Sequence, residues 1–128
     1  MTRKTACYSA RLLTVDDCIP SHWLHGLLDL ALLSLLAAGR DYGYGLTQRL
    51  AAAGLGDVPG GTIYPALLRL ERQGLAAATW ESSASGPRRK YFELTAAGVT
   101  ALAGLAEQWH GFSASITGLA ESARDPLR

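Results

Sequence analysis

The strongest constraint on this chain is the punctuation of residues 60–94. "GGTIYPALLRLERQG" (Gly60–Gly74) opens on two glycines and closes on one, with Ile63, Leu67 and Leu70 at helical spacing between them. "LAAATWE" (Leu75–Glu81) follows at once, then the loop "SSASGP" (Ser82–Pro87), then "RRKYFEL" (Arg88–Leu94). In that last run Phe92 and Leu94 alternate with Tyr91 and Glu93, the period of a half-buried strand. An amphipathic helix that runs straight into a β-hairpin with a flexible, basic tip leaves few folds open.

The flanking segments narrow the choice. Ser21 is placed to cap a helix starting at His22, in which Leu24, Leu27, Leu28, Ala31, Leu32 and Leu35 recur at helical spacing and Gly39 ends the run. Leu33 and Leu36 add apolar surface on a second side, so this helix is expected to be buried from more than one direction. "GRDYGYG" reads as a turn. A second helix, about Tyr44 to Ala53, turns Leu46, Leu50 and Ala53 inward and Gln48 and Arg49 outward, and "GLGDVPGG" breaks it. Pro65 is expected in the first turn of the third helix, where its missing N–H does least harm. Thr95 then caps a long final helix reaching about Ala120. The order predicts a mainly α chain with a small β-hairpin. It places a winged helix-turn-helix domain over 21–94, a long C-terminal dimerisation helix over 95–122 and a tail over 123–128. Residues 1–20 are an extension with little core-forming periodicity.

Composition excludes several classes. With 128 residues, 48% of them hydrophobic and 18% charged, the chain supports one modest core and is no disordered tail. The net charge of +1 argues against a protein that is basic all over, so local placement decides. Residues 60–94 carry Arg69, Arg72, Arg88, Arg89 and Lys90 against Glu71, Glu81 and Glu93. Cys7 and Cys18 show no metal-ligand spacing and read as free thiols in a reducing cytosol, so no metal or cofactor is expected. Arg3 and Lys4 are not followed by an apolar run, so no secretory signal is read. "LLDLALLSLLAAG" contains Asp29 and falls short of the ~20 residues that span a bilayer. A cytoplasmic protein without a membrane partner is the expectation. His22, His25 and His110 have no nucleophile or carboxylate in a catalytic arrangement, and no phosphate-binding glycine loop is present, so an enzyme is not expected.

Stepping the third helix at 100° per residue puts Ile63, Leu67 and Leu70 on a core face. Thr62, Pro65, Ala66, Arg69 and Gln73 fall opposite, with Arg72 at the edge and Tyr64 on the flank. The outer face is small near its start and carries long donors further along, which suits a major groove. A solvated face would look similar in isolation. The basic wing at Arg88, Arg89 and Lys90, placed to reach a phosphate backbone, tips the balance toward double-stranded DNA. The candidate DNA-binding set is therefore Thr62, Tyr64, Pro65, Arg69, Arg72, Arg88, Arg89 and Lys90. The alternative is a winged helix used only for protein contacts, which has no need of three consecutive basic residues in its wing.

In the final helix Leu102, Leu105, Trp109, Phe112, Ile116 and Leu119 alternate at spacings of three and four, a heptad seam. After a complete small domain, a second copy of the chain is the economical partner for that seam. Leu105, Trp109, Phe112 and Ile116 are the candidates for a dimer seam or an effector site. Trp109 either fills the interface or lines a cavity that stacks a planar ligand, and both readings stay open.

"DLALLSLLAAGRDYGYGLTQRL", "GTIYPALLRLERQGL" and "GPRRKYFELTAAG" together resemble the PadR family of bacterial transcriptional regulators over roughly residues 27–98. The resemblance implies a winged helix-turn-helix homodimer that binds an inverted-repeat operator. It also implies a repressor released by a small aromatic or drug-like effector. Ending soon after one long helix, the chain is similar to the smaller PadR subgroup, which places a tryptophan on that helix at a central ligand pore. The extension over residues 1–20 is not part of that pattern.

Overall fold

A computed structural model describes residues 23, 24 and 26–124. Helix α1 (Leu28–Ala38) begins later than the apolar periodicity implies, and Ser21 and His22 lie outside the described residues. Leu27 stands at its N-cap without a side-chain acceptor, and Asp29 in the first turn supplies the negative charge that this end favours. At the other end the Gly39 N–H donates to the Leu35 and Leu36 carbonyls, at 3.2 Å each.

"GRDYGYG" is more than a turn. Asp41 and Tyr42 form a short strand β1 (Asp41–Tyr42), paired antiparallel with Phe92 and Tyr91. Two residues have no period of their own, so only the distant partner strand reveals this one. Helices α2 (Gly43–Ala52) and α3 (Gly60–Arg72) follow. Pro59 is the N-cap of α3, and its carbonyl accepts from Thr62 N at 2.9 Å and Ile63 N at 3.1 Å. With the helix starting at Gly60, Pro65 falls in the second turn rather than the first. Its ring removes the bond that the Gly61 carbonyl would receive, and Gly61 is exposed, so water can serve that carbonyl instead.

Strands β2 (Ala76–Ser83) and β3 (Gly86–Leu94) form the hairpin, and the three-stranded sheet has the order β1-β3-β2. The strands take up most of the expected loop, leaving a tight turn at residues 84–85 and a ladder irregularity between Glu81 and Ser83. Arg88, Arg89 and Lys90 therefore lie along β3 and not at the hairpin tip. Arg89 is opposite Glu81 and Lys90 opposite Trp80.

One core joins these elements. Leu28, Leu32, Leu33 and Leu36 of α1 meet Leu46 and Leu50 of α2, Ile63, Ala66, Leu67 and Leu70 of α3, and Ala76 and Phe92 of the sheet. Each buried leucine contributes about 1.5–3 kcal/mol over an exposed one, enough collectively to set the angle of α3. Ala66, expected on the outer face, is only 2% exposed. A small side chain at that position admits the neighbouring elements rather than a groove.

Thr95 caps α4 (Ala96–Ala123), its Oγ1 accepting from Gly98 N at 3.0 Å while donating to the Gly74 carbonyl at 2.6 Å. The helix start is thereby tied to the end of α3. Leu102 and Leu105 pack partly buried against the domain's own core, so the first stretch of the expected seam is occupied within the chain.

Candidate nucleic-acid interface

Helix α3 presents Tyr64, Pro65, Arg69 and Arg72 to solvent, with Thr62 half-buried near its start. Tyr64 is braced from behind: a Cβ on Gly43 would come within 2.3 Å of its ring, so the absence of a side chain there lets the tyrosine lie over the start of α2. Arg69 reaches back to α1, where its Nη2 lies 2.6 Å from Asp29 Oδ1. Both side chains are substantially exposed, so the pair contributes about 0–1 kcal/mol, and a phosphate or a base edge can compete for the guanidinium. Arg72 has no carboxylate partner among the described residues.

The wing divides its basic residues between two faces. Lys90 shares the inner face with Phe92 and donates to Glu71 Oε1 on α3 at 3.0 Å, which latches the sheet to the end of the helix. Its Nζ lies 5.4 Å from the Phe92 ring and 6.0 Å from the Trp80 ring. Arg88 stands 5.7 Å from the exposed Trp80 ring. Arg89, on the outer face, lies over Tyr42 at 4.7 Å. Arg88 and Arg89, like Arg72, have no carboxylate partner among the described residues. Of the five cations in the candidate set, Arg69 and Lys90 brace α3, while Arg72, Arg88 and Arg89 keep their charge open to solvent.

Several residues that hold this surface escape a reading along the chain. Arg49, expected on a solvated face, donates to the Leu35 carbonyl at 2.8 Å, to Asp41 Oδ2 at 3.1 Å and to the Gly39 carbonyl at 3.4 Å. It places a cation at the C-terminus of α1 and joins α1, β1 and α2. Asp29, Glu71, Tyr42, Arg40 and Glu81 likewise act through residues distant in sequence. Helical periodicity marks which face a residue occupies, and no periodic signal names a partner forty positions away.

The far half of α4 is a bare apolar stripe. Trp109 is 40% exposed, Phe112 61%, Ile116 49% and Leu119 69%. The Trp109 and Phe112 rings pack on each other with centroids 6.3 Å apart. Within α4 only Gly98 is buried. Leu105, expected in the same group, faces the winged domain instead.

A helix-turn-helix pair packed against α1, with a sheet latched to the second motif helix, defines a winged helix-turn-helix protein. Residues 32–104 match the Transcriptional regulator PadR-like family. A PadR family transcriptional regulator from Eggerthella lenta is 30% identical, with 94% of this chain and 98% of that one covered and a TM-score of 0.72. A PadR-like transcriptional regulator from Bacillus cereus is 32% identical over 77% of this chain and 96% of that one, with a TM-score of 0.69. A PadR-like transcription factor from Bacteroides fragilis is also 32% identical, over 77% of this chain and 95% of that one, with a TM-score of 0.66. Among curated proteins no relative matches this chain. The chain belongs to the PadR-like family of transcriptional regulators. Among the described residues no helix is long and apolar enough to cross a membrane.

Proposed function

We propose that the chain is a homodimeric DNA-binding repressor that recognises an inverted-repeat operator and releases it on binding a small aromatic or drug-like effector. The observation that carries the DNA reading is the arrangement around α3. One face of the helix is exposed, its N-terminal turn holds no acidic residue, and Arg72 at its end and Arg88 and Arg89 on the wing that follows have no carboxylate partners among the described residues. Such cations release counterions when they meet phosphate, which favours binding. Thr62, Tyr64 and Pro65 lead into the major groove, where Arg69 is the candidate base reader, and the wing follows the backbone. The stripe at Trp109, Phe112, Ile116 and Leu119 supports a second copy as the partner of α4, since an exposed apolar surface of this kind marks an interaction site. An effector lodged at Trp109 that binds two helix spacings with different affinity would misplace the paired recognition helices, which must meet major grooves about 34 Å apart.

The test is fluorescence anisotropy with DNA from upstream of the protein's own gene, titrated against salt. A repressor shows affinity that falls steeply with ionic strength and a preference for one inverted repeat. Absence of salt-dependent binding at low ionic strength would sink the DNA reading and leave a winged helix that contacts proteins alone.

A further inference from the structure

Arg89 stands directly across the ladder from Glu81, a placement that favours a cross-strand ion pair. No such pair forms. The Glu81 carboxylate is held by Arg40, which enters from the chain just before β1 and whose Nη2 also lies 3.5 Å from Thr79 Oγ1. Arg40 is fixed a third time by the Tyr91 ring, 4.5 Å from its guanidinium. Tyr91 packs on Tyr42 at 5.3 Å, and Arg89 rests on Tyr42 at 4.7 Å. These side chains share the face of the sheet opposite Phe92. Together they form a row in which one arginine takes the carboxylate and the other keeps its charge.

We infer that Arg40 is a positioning residue for DNA binding: by occupying Glu81 it leaves Arg89, propped on Tyr42, as an unneutralised phosphate contact of the wing. The inference rests on the DNA-binding reading above. Without Arg40, Glu81 has one basic side chain directly across the ladder, Arg89. An arginine already paired with a carboxylate displaces fewer counterions when it meets phosphate, so the salt dependence of binding should register the change. Arg40 itself need not touch DNA.

The experiment compares the slope of log K against log salt for the full-length wild type, Arg40→Ala, Arg89→Ala, the Arg40→Ala/Arg89→Ala double variant, Glu81→Gln and Arg40→Ala/Glu81→Gln. Removing one phosphate contact lowers the slope by about one. Arg89→Ala is expected to do so, and Arg40→Ala to match it. The Arg40→Ala/Arg89→Ala variant should lose no more than Arg89→Ala alone. Glu81→Gln should keep the wild-type slope, and adding it to Arg40→Ala should restore that slope. Additive losses in the double variant would overturn the inference, because they mean that Arg40 acts on DNA directly or through bulk charge. An unchanged Arg40→Ala slope would overturn it as well. Failure of the DNA reading looks different, since the wild type itself would then show no salt-dependent binding and the inference would fall with it. Thermal unfolding of each variant checks the fold. Arg40 and Glu81 are both exposed, so their unfolding midpoints should stay at the wild-type value.

Discussion

The winged domain and the C-terminal helix are built from the same kind of apolar periodicity and end in opposite conditions. In the domain, every leucine stripe meets another within the chain, and Leu32, Leu46, Leu67 and Phe92 are sealed from water. In α4 the stripe continues past the domain's core, and Trp109, Phe112, Ile116 and Leu119 are exposed. The changeover comes between Leu105, which still packs on the core, and Trp109. A heptad pattern thus records apolar spacing without saying what meets it, and here one helix carries two apolar stretches in succession. The first packs on the domain's own core, and the second lies exposed.

Substitutions in the two regions should separate accordingly. The largest effect belongs to the sealed core: Phe92→Ala should cost about 3–5 kcal/mol of stability, read by chemical denaturation, because it opens a cavity beneath the sheet. A loss under 1 kcal/mol would mean that the sheet contributes little to the core. On α4, Phe112→Asp with Ile116→Asp should leave the winged domain folded while abolishing any dimer, seen by sedimentation as a shift to monomer mass. Trp109→Ala separates the two roles of that residue. Retained dimer and DNA binding with no effector response would favour the pocket, whereas a monomeric variant would mean that the ring only fills the interface.

Smaller effects test the bracing of α3. Arg69→Ala should weaken operator binding by about 1–3 kcal/mol and relax specificity at one position if Arg69 leaves Asp29 to read a base. An equal loss on all sequences would restrict it to positioning. Asp29→Asn breaks the ion pair from the other side and should change stability by no more than about 1 kcal/mol, because both partners are partly exposed to water. A larger loss would show the pair to be structural, and would count against Arg69 as a base reader.

Much of the local structure was legible along the chain, though the break in the α4 stripe between Leu105 and Trp109 was not. The periodicity of Ile63, Leu67 and Leu70, the alternation around Phe92 and the cap at Thr95 each report a local environment, and local environment is what sequence spacing encodes. Pairings over long separations were not legible. β1 is two residues long, and "GRDYGYG" carries turn-forming residues that mask it. Ala66 projected outward by angle, yet the elements around α3 enclose it. Arg49 looked like one more solvated arginine and proved to be the joint of three elements.

The same split runs through the candidate site. Five basic residues in residues 60–94 could be read off the chain, because side-chain charge belongs to the residue alone. Their availability could not, because it depends on which carboxylate each one meets. Asp29 and Glu71 brace two of them, and Arg40 takes Glu81 away from a third. Composition and spacing were enough to announce an amphipathic helix, a basic wing and an apolar tail. Only the packed chain decided which charges face outward, since ion pairing acts through space over a few ångströms and takes no account of distance along the backbone.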